Sequence, residues 1–458
     1  MMKLARHCLC SLALLLAFVS ASYAASEPPT SILLENVRVF DGKSSRVSGT
    51  TNVLIVGPVI KSISSAPIGN VEAEGNVMRI DGGGRVLMPG LIDAHWHSMF
   101  LATTPLVGLM SDVGYLNLLA AYQAKATLLR GFTTVRDLGG PAFSLKQAID
   151  EGFAVGPRIY PSGAMITITS GHGDFRQLNE LPRTIGGPPS RMEQIGASAI
   201  ADSPDEVRVR VREQLMQGAS QIKLTAGGGV ASPHSPLDVS TFTLPELQAA
   251  VEAAENWGTY VAVHAYTPRA IRTALEAGVK CIEHGHLADD ATAKLMAEKS
   301  VWWSLQPFLN EGPSQFPEGS QEAEKKKEVA EGTDRAYKLA KKYQIKTAWG
   351  TDILFSPQLT QRQNSLLTVM TRWYTPAEVL IMATSTNAQL LALSGKRNPY
   401  PGKLGVVEEG ALADLLLVDG NPLENIHLID DPAKNLVVII KNGAIAKNSL
   451  TAADKTSP

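Results

Sequence analysis

The middle of this chain, residues 88–400, alternates short apolar segments with helical ones. GLIDAHWH, FTTVRDL, RIYPSGAMIT, QIKLTAGG, YVAVHAYT, CIEHGH, VWWSLQPF and IKTAWGTDI read as strands. LPELQAAVEAAENWG and EAEKKKEVAEGTDRAYKLAKKY are two of the amphipathic stretches between them. Eight strands alternating with helices have few packed solutions, because parallel strands need both faces covered. They close into a (β/α)8 barrel or lie in an open doubly wound sheet. No GxGxxG opens a helix after the first strand, so the open sheet loses its main support. The expected class is α/β, a TIM-type barrel over residues 88–400.

The two ends have a different character. SILLENVRVFDG, TNVLIVGPVIKSIS and MRIDGGGRVLM before the barrel, and GKLGVVEEGALADLLLVDG and LVVIIKNGAIAKN after it, are short strands broken by Gly, Asn and Asp. They are expected to pair into one small β-sandwich domain, built from residues 25–87 and 401–458. Residues 1–24 carry Lys3 and Arg6, then the apolar LCSLALLLAFV, then the small residues of SASYA. This succession predicts a signal peptide cleaved after Ala24 and a periplasmic or secreted protein. The apolar run is too short to span a bilayer comfortably, so no membrane attachment is expected after cleavage. Cleavage would remove Cys8 and Cys10 and leave Cys281, read as a buried strand residue, with no internal disulfide. Lys and Arg are spread along a chain of net charge −2, which excludes a nucleic-acid footprint.

A barrel places its site at the C-terminal ends of its strands. There the sequence puts His95 and His97 on the first strand, Lys223 on the fourth, His264 on the fifth, His284 on the sixth and Asp352 on the eighth. On a strand, His95 and His97 share a face and Trp96 takes the other. Polar groups inside apolar strands are costly to bury without partners. Four imidazoles, one lysine and one carboxylate converging on one cavity point to a metal site. Two long connections, residues 168–204 and 227–242, are expected to act as lids or binding loops.

PGLIDAHWH, VHAYT, EHGH and GTD, in that order and spacing, carry a likeness: over residues 31–448 the chain resembles the amidohydrolase superfamily. The resemblance implies two divalent ions. His95 and His97 would bind the more buried one, and His264 and His284 the second. Lys223, carboxylated, would bridge them. Asp352 would bind the first ion and carry a proton as the catalytic acid–base. Zinc is the expected ion, since histidine and oxygen ligands suit it. Lys223 favours hydrolysis at two metals over single-metal deamination.

SGHGD, KLTAGGG, VHAYT and IEHG are similar to the prolidase-like, or Xaa-Pro dipeptidase-like, branch, with its metallo-carboxypeptidases and ochratoxinases. The branch implies cleavage of an amide or peptide bond to a C-terminal amino acid with a free carboxylate, in dipeptides or N-acyl amino acids such as ochratoxin A. A homo-oligomer is expected. His172 in SGHGD, Arg176 as a carboxylate partner and Tyr266 beyond His264 are the expected substrate contacts. Arg136 and Asp137 are expected to pair with each other. His286 reads as a loop or supporting histidine, His234 as solvated, and His427 as remote. The alternatives are an imidazolonepropionase-like cyclic amidase, a non-catalytic scaffold of the same fold and a periplasmic solute-binding protein. Retention of the whole ligand set speaks against the last two.

Overall fold

The computed structural model describes residues 31–69, 71, 76–181, 186–232, 234–309 and 316–450. The signal peptide expected over residues 1–24, with Cys8 and Cys10, lies outside them. The barrel strands run, in order, Leu91–Trp96, Phe132–Asp137, Arg158–Pro161, Ile222–Thr225, Val261–Ala265, Cys281–His284, Trp302–Leu305 and Thr347–Trp349. Their ladders are parallel throughout.

RIYPSGAMIT, expected as one strand, is two. Gly163 takes φ +75°, a left-handed bend that glycine adopts without strain. Arg158–Pro161 pairs with the second strand, while Met165–Thr167 pairs with the fourth and with Ser198–Ile200. The connection 168–204 therefore carries structure of its own. It includes that extra strand and a helix, Arg191–Gln194, started by a reciprocal Ser190–Glu193 capping box.

Two seams lack a full ladder, and side-chain amides stitch both. Between the third and fourth strands, Gln221 Nε2 donates to Asp137 O (3.2 Å) and Tyr160 O (2.8 Å). Between the eighth and first, Asn387 Nδ2 donates to Ile92 O and Trp349 O, each at 2.8 Å. Asp352 N donates to His95 O at 2.9 Å and completes the ring at the mouth.

The outer helices follow their sequence signals. Leu244–Asn256 begins at a Thr243–Glu246 capping box with Pro245 in its first turn, and buries Ala249, Ala250, Ala253 and Ala254. Gln321–Lys342 starts at Ser320, carries Glu322 and Glu324 in its first turn and Lys341 and Lys342 in its last, and so suits its own dipole. No helix among the described residues is long and apolar enough to cross a membrane.

The chain ends do meet. Val86–Pro89 lies parallel to part of Ser31–Phe40 on one side and antiparallel to Leu415–Val418 on the other, within one eight-stranded sheet. Period-two alternation sorts its residues. Leu34, Val37, Leu87, Leu415 and Leu417 fill the sheet's own core. Phe40, Val86, Met88, Leu416 and Val418 join the core shared with the barrel. Arg158 locks the two together through Asp414 (2.7 Å) and Asn442 (2.8 Å).

Candidate metal centre

The first strand does not alternate cleanly, and the irregularity builds the site. Its register with Phe132–Asp137 shifts between Asp93 and Trp96. Asp93 faces away from the cavity, accepting from Thr351 Oγ1 (2.8 Å) and Gln363 Nε2 (3.1 Å). His95, two residues on, faces Lys223 and Asp352 instead. Trp96 packs with Met99, Phe100 and Leu116 on the far side, while the His95 and His97 rings lie 5.4 Å apart.

Two other ligand candidates sit on unusual backbone. His284 has φ +72° and Asp352 φ +54°, in the left-handed region that costs a non-glycine residue about 1 kcal/mol or more. At His284 this turn ends the strand and brings the ring into the cavity. Its centroid lies 4.9 Å from His95 and 4.5 Å from His264. At Asp352 it aims Oδ1 between His97 Nε2 (3.0 Å) and His95 Nε2 (3.2 Å). Lys223 Nζ stands 3.4 Å from His95 Nε2. One ligand atom from each of His95, His284 and Asp352 falls within 4.8 Å of the others.

The protons tell what the cluster lacks. His97 Nδ1 lies 3.0 Å from Gly139 O, and His264 Nε2 lies 2.8 Å from Gly228 O. A carbonyl only accepts, so those nitrogens carry the protons. His284 Nδ1 likewise donates to Gln306 Oε1 at 2.7 Å, because Gln306 Nε2 is turned the other way, to Ser304 O (3.2 Å) and His95 Nδ1 (3.4 Å). In a neutral ring the remaining nitrogen is a lone pair, and that of His97, Nε2, stands 3.0 Å from a carboxylate oxygen. A cation between them reconciles that opposition. Burial, then nearby Lys223 and other imidazoles, holds His95 and His284 well below the usual histidine range. They are neutral, as ligation requires. Burial also pushes the Lys223 amine down. A less basic amine is more often unprotonated, the form that takes up carbon dioxide. The residues present fit a divalent-ion centre.

Of the expected substrate contacts, Tyr266 and His172 lie against the cluster. The Tyr266 ring is 4.8 Å from His264 and 5.3 Å from His284. The His172 ring is 4.2 Å from His264 and its Nδ1 is 2.8 Å from Ser232 Oγ. Burial, then the charges of Lys223 and His97, brings His172 down to about 3. Gly229 is needed here, since a Cβ on it would stand 2.0 Å from His172 Nδ1. Lys325 pins the same loop by donating to Ser232 O (3.1 Å) and Ser235 O (3.0 Å). Arg176 is not brought to the cluster with a free guanidinium: Nε and Nη2 grip both oxygens of Asp174, at 2.8 and 2.7 Å.

Arg136 and Asp137 do not pair with each other. Neighbours on a strand point to opposite faces. Asp137 accepts from Ser98 N (2.7 Å) and Gly139 N (3.2 Å), and so holds the loop that carries His97. Arg136 crosses the barrel interior to Glu283 at 2.8 Å. Glu283 and Gln306 were missed from the sequence. Glu283 hides in CIEHGH, where alternation sets it opposite His284, and only the left-handed φ at His284 brings both inward. Its signal was a carboxylate inside an apolar strand. His286 is buried, donating to Gln306 O at 2.9 Å, while His234 and His427 are exposed.

The comparisons agree with this geometry. Residues 86–446 match the model of the Amidohydrolase family. Ochratoxinase from Aspergillus niger is 32% identical over 382 residues, covering 79% of this chain and 76% of that protein. A prolidase solved with N-methylphosphonate-L-proline superposes at a TM-score of 0.82, with 32% identity, over 92% of this chain and all of that one. A Xaa-Pro dipeptidase with methionine bound in its active site gives 0.77 at 29% identity, over 91% of this chain and 99% of that one. With the ligand cluster at the mouth of a (β/α)8 barrel and the family match spanning barrel and sheet alike, the chain belongs to the amidohydrolase family and is a hydrolase of C–N bonds.

Proposed function

We propose that this protein hydrolyses the amide bond to a C-terminal amino acid whose carboxylate is free, in dipeptides and N-acyl amino acids, with two divalent ions held by His95, His97, Lys223, His264, His284 and Asp352. The observation that carries the reading is the convergence of His97 Nε2 and His95 Nε2 on Asp352 Oδ1, at 3.0 and 3.2 Å, beside the buried Lys223 amine. Carboxylated, Lys223 would supply the centre with an anionic oxygen ligand, and zinc is the ion that the donor set suits best. Bound there, such ions lower the pKa of water and polarise a carbonyl.

The rest falls to the chain's own groups. Asp352, the one ligand with an appreciably exposed side chain, 20%, accepts the proton of the attacking water and returns it to the leaving nitrogen. Tyr266 and His172 line the entry and orient the substrate. Arg176, held by Asp174, shapes that loop. The relatives support the substrate class: the prolidase binds N-methylphosphonate-L-proline, the Xaa-Pro dipeptidase holds methionine in its active site, and the Aspergillus niger protein is an ochratoxinase.

The test is a panel offered to the zinc-loaded protein: Xaa-Pro and other dipeptides, N-acyl amino acids including ochratoxin A, their C-terminally amidated forms, and cyclic amides. Release of a free amino acid, with the amidated forms at least tenfold poorer, is expected. Turnover confined to cyclic amides would return the imidazolonepropionase-like alternative.

A further inference from the structure

We propose that Glu283 is the positioning residue that fixes the proton of His95 on Nδ1, leaving its Nε2 lone pair for the ion shared with His97 and Asp352. This rests on the metal-centre reading above and goes beyond the ligand set.

The barrel interior on the side of His95 away from Asp352 holds a fully buried guanidinium and a fully buried carboxylate. Arg136 spends every donor. Nε gives to Ala94 O (2.6 Å), Nη1 to Tyr260 Oη (3.1 Å) and Cys281 Sγ (3.7 Å), and Nη2 to Glu283 Oε1 (2.8 Å) and Ser304 Oγ (3.3 Å). Five N–H groups meet five acceptors. Cys281 Sγ also donates to Glu283 Oε1, at 3.0 Å.

Both donors to Glu283, Arg136 Nη2 and Cys281 Sγ, fall on one carboxylate oxygen. A pair built only to cancel charge would take the fork-to-fork arrangement, with both oxygens on the guanidinium. Here Oε2 is buried and has no hydrogen bond among the described residues. The nitrogen 2.9 Å from it is His95 Nδ1, close but not aligned for a hydrogen bond, and the same nitrogen lies 3.4 Å from Gln306 Nε2, a donor. The carboxylate is the shorter contact and carries a full charge, so turning the ring toward Oε2 would trade the long amide contact for a charge-assisted one. A carboxylate can only accept, so the contact selects the tautomer with hydrogen on Nδ1. Arg136 and Cys281 clamp the other oxygen and keep Oε2 aimed at the ring. Carboxylates behind ligating histidines typically raise ligand basicity and fix ring orientation.

Glutamine makes the test sharp. In Glu283→Gln, Arg136 still demands an acceptor, so the amide oxygen takes the Oε1 place. The amide nitrogen then faces His95 Nδ1 and donates to it. That moves the ring proton to Nε2, the atom that must bind the ion.

The experiment titrates metal-free parent and E283Q with Zn2+ against a chromophoric chelator, and records histidine ring signals of the 15N-histidine-labelled proteins. We expect one of the two ions to bind 10–100-fold more weakly in E283Q. One imidazole should shift from the Nδ1–H to the Nε2–H form, with the other ion unaffected. A folded E283Q that holds both ions as tightly as the parent overturns the inference while leaving the metal centre standing. A parent that takes up no Zn2+ overturns the metal-centre reading itself. Should E283Q fail to fold, Arg136→Met with Glu283→Met removes both charges at similar volume. That pair should lose the same ion, and parent-like affinity in it overturns the proposal.

Discussion

The two halves of the barrel interior are built from the same strands and solve opposite problems. On the floor, Arg136 and Glu283 are fully buried, yet all the donors of the guanidinium are matched within the chain. At the mouth, the groups oppose one another. Imidazoles press on imidazoles, lone pairs face Asp352, and His284 and Asp352 sit on strained backbone. The floor is finished by folding except at Glu283 Oε2, which faces His95. On the proposed reading, the mouth is finished by cations, which would convert its mutual repulsion into coordination. Strain and unmet valence mark where chemistry happens, whereas burial of charge alone does not.

The largest effect that follows from this contrast is metal removal. Stripping divalent ions with a chelator should abolish amide hydrolysis and lower the melting temperature, since a ligand held only by the native state stabilises it by about 2.7 kcal/mol at a hundred times its Kd. The floor has no such dependence. Lys223→Ala should leave a folded chain with fewer ions by elemental analysis, partly refilled by added short carboxylic acids. Full ion content in that variant would show that the mouth does not need its bridging anion.

Asp352→Asn comes next. Asparagine keeps an oxygen for an ion but cannot shuttle a proton, a loss worth about 10²–10⁴ in rate. The drop should appear in kcat on N-acyl amino acids with ion content retained, and shrink on an activated ester whose leaving group needs no proton. Equal losses on both substrates would assign Asp352 to metal binding alone.

Much of the mouth was legible in the sequence, because polar residues at apolar strand ends are conspicuous and barrel topology says where strand ends go. His95, His97, Lys223, His264, His284 and Asp352 needed no coordinates to be grouped. The floor was not legible. Arg136 and Asp137 are adjacent in sequence, and adjacency suggested a pair that the alternation of a strand forbids. Glu283 lay beside His284 and was hidden by it, since a period-two reading cannot anticipate the left-handed φ that ends the strand at His284. Arg176 looked free because Asp174, two residues away, forms its bond only through a loop fold that no periodicity encodes. Regular elements were read from pattern; the departures from regularity, at Gly163, His284 and Asp352, were not.

Arg136→Met tests the floor directly. It leaves Glu283 buried without its cation, and breaking such a pair typically costs about 3–5 kcal/mol. Denaturant unfolding should register that loss, and the double change with Glu283→Met should recover most of it. Recovery of stability without recovery of ion affinity would separate the floor's structural role from its effect on His95. If the single variant is as stable as the parent, the pair contributes nothing that a methionine cannot, and the floor is no more finished than the mouth.

The smallest effect concerns the seam at Gln221, whose amide bridges Asp137 O and Tyr160 O where the ladder between third and fourth strands is missing. Gln221→Leu keeps the volume and removes the bridge. Asp137 O keeps Ser162 N at 2.9 Å, Tyr160 O loses a donor whose absence costs about 1–3 kcal/mol where it goes unmet, and Ser220 N, which donates to Pro161 O at 2.8 Å, still holds part of the seam. The loss should therefore sit at the low end of that range and show as a modest fall in the unfolding midpoint. Ion content should not change. Asp137 holds the His97 loop through its carboxylate, which accepts from Ser98 N and Gly139 N, whereas Gln221 touches only its backbone carbonyl. A Gln221→Leu protein that loses its ions while remaining folded would mean that the seam transmits to His97. The line between a floor completed by folding and a mouth completed by cations would then lie lower in the barrel than His95.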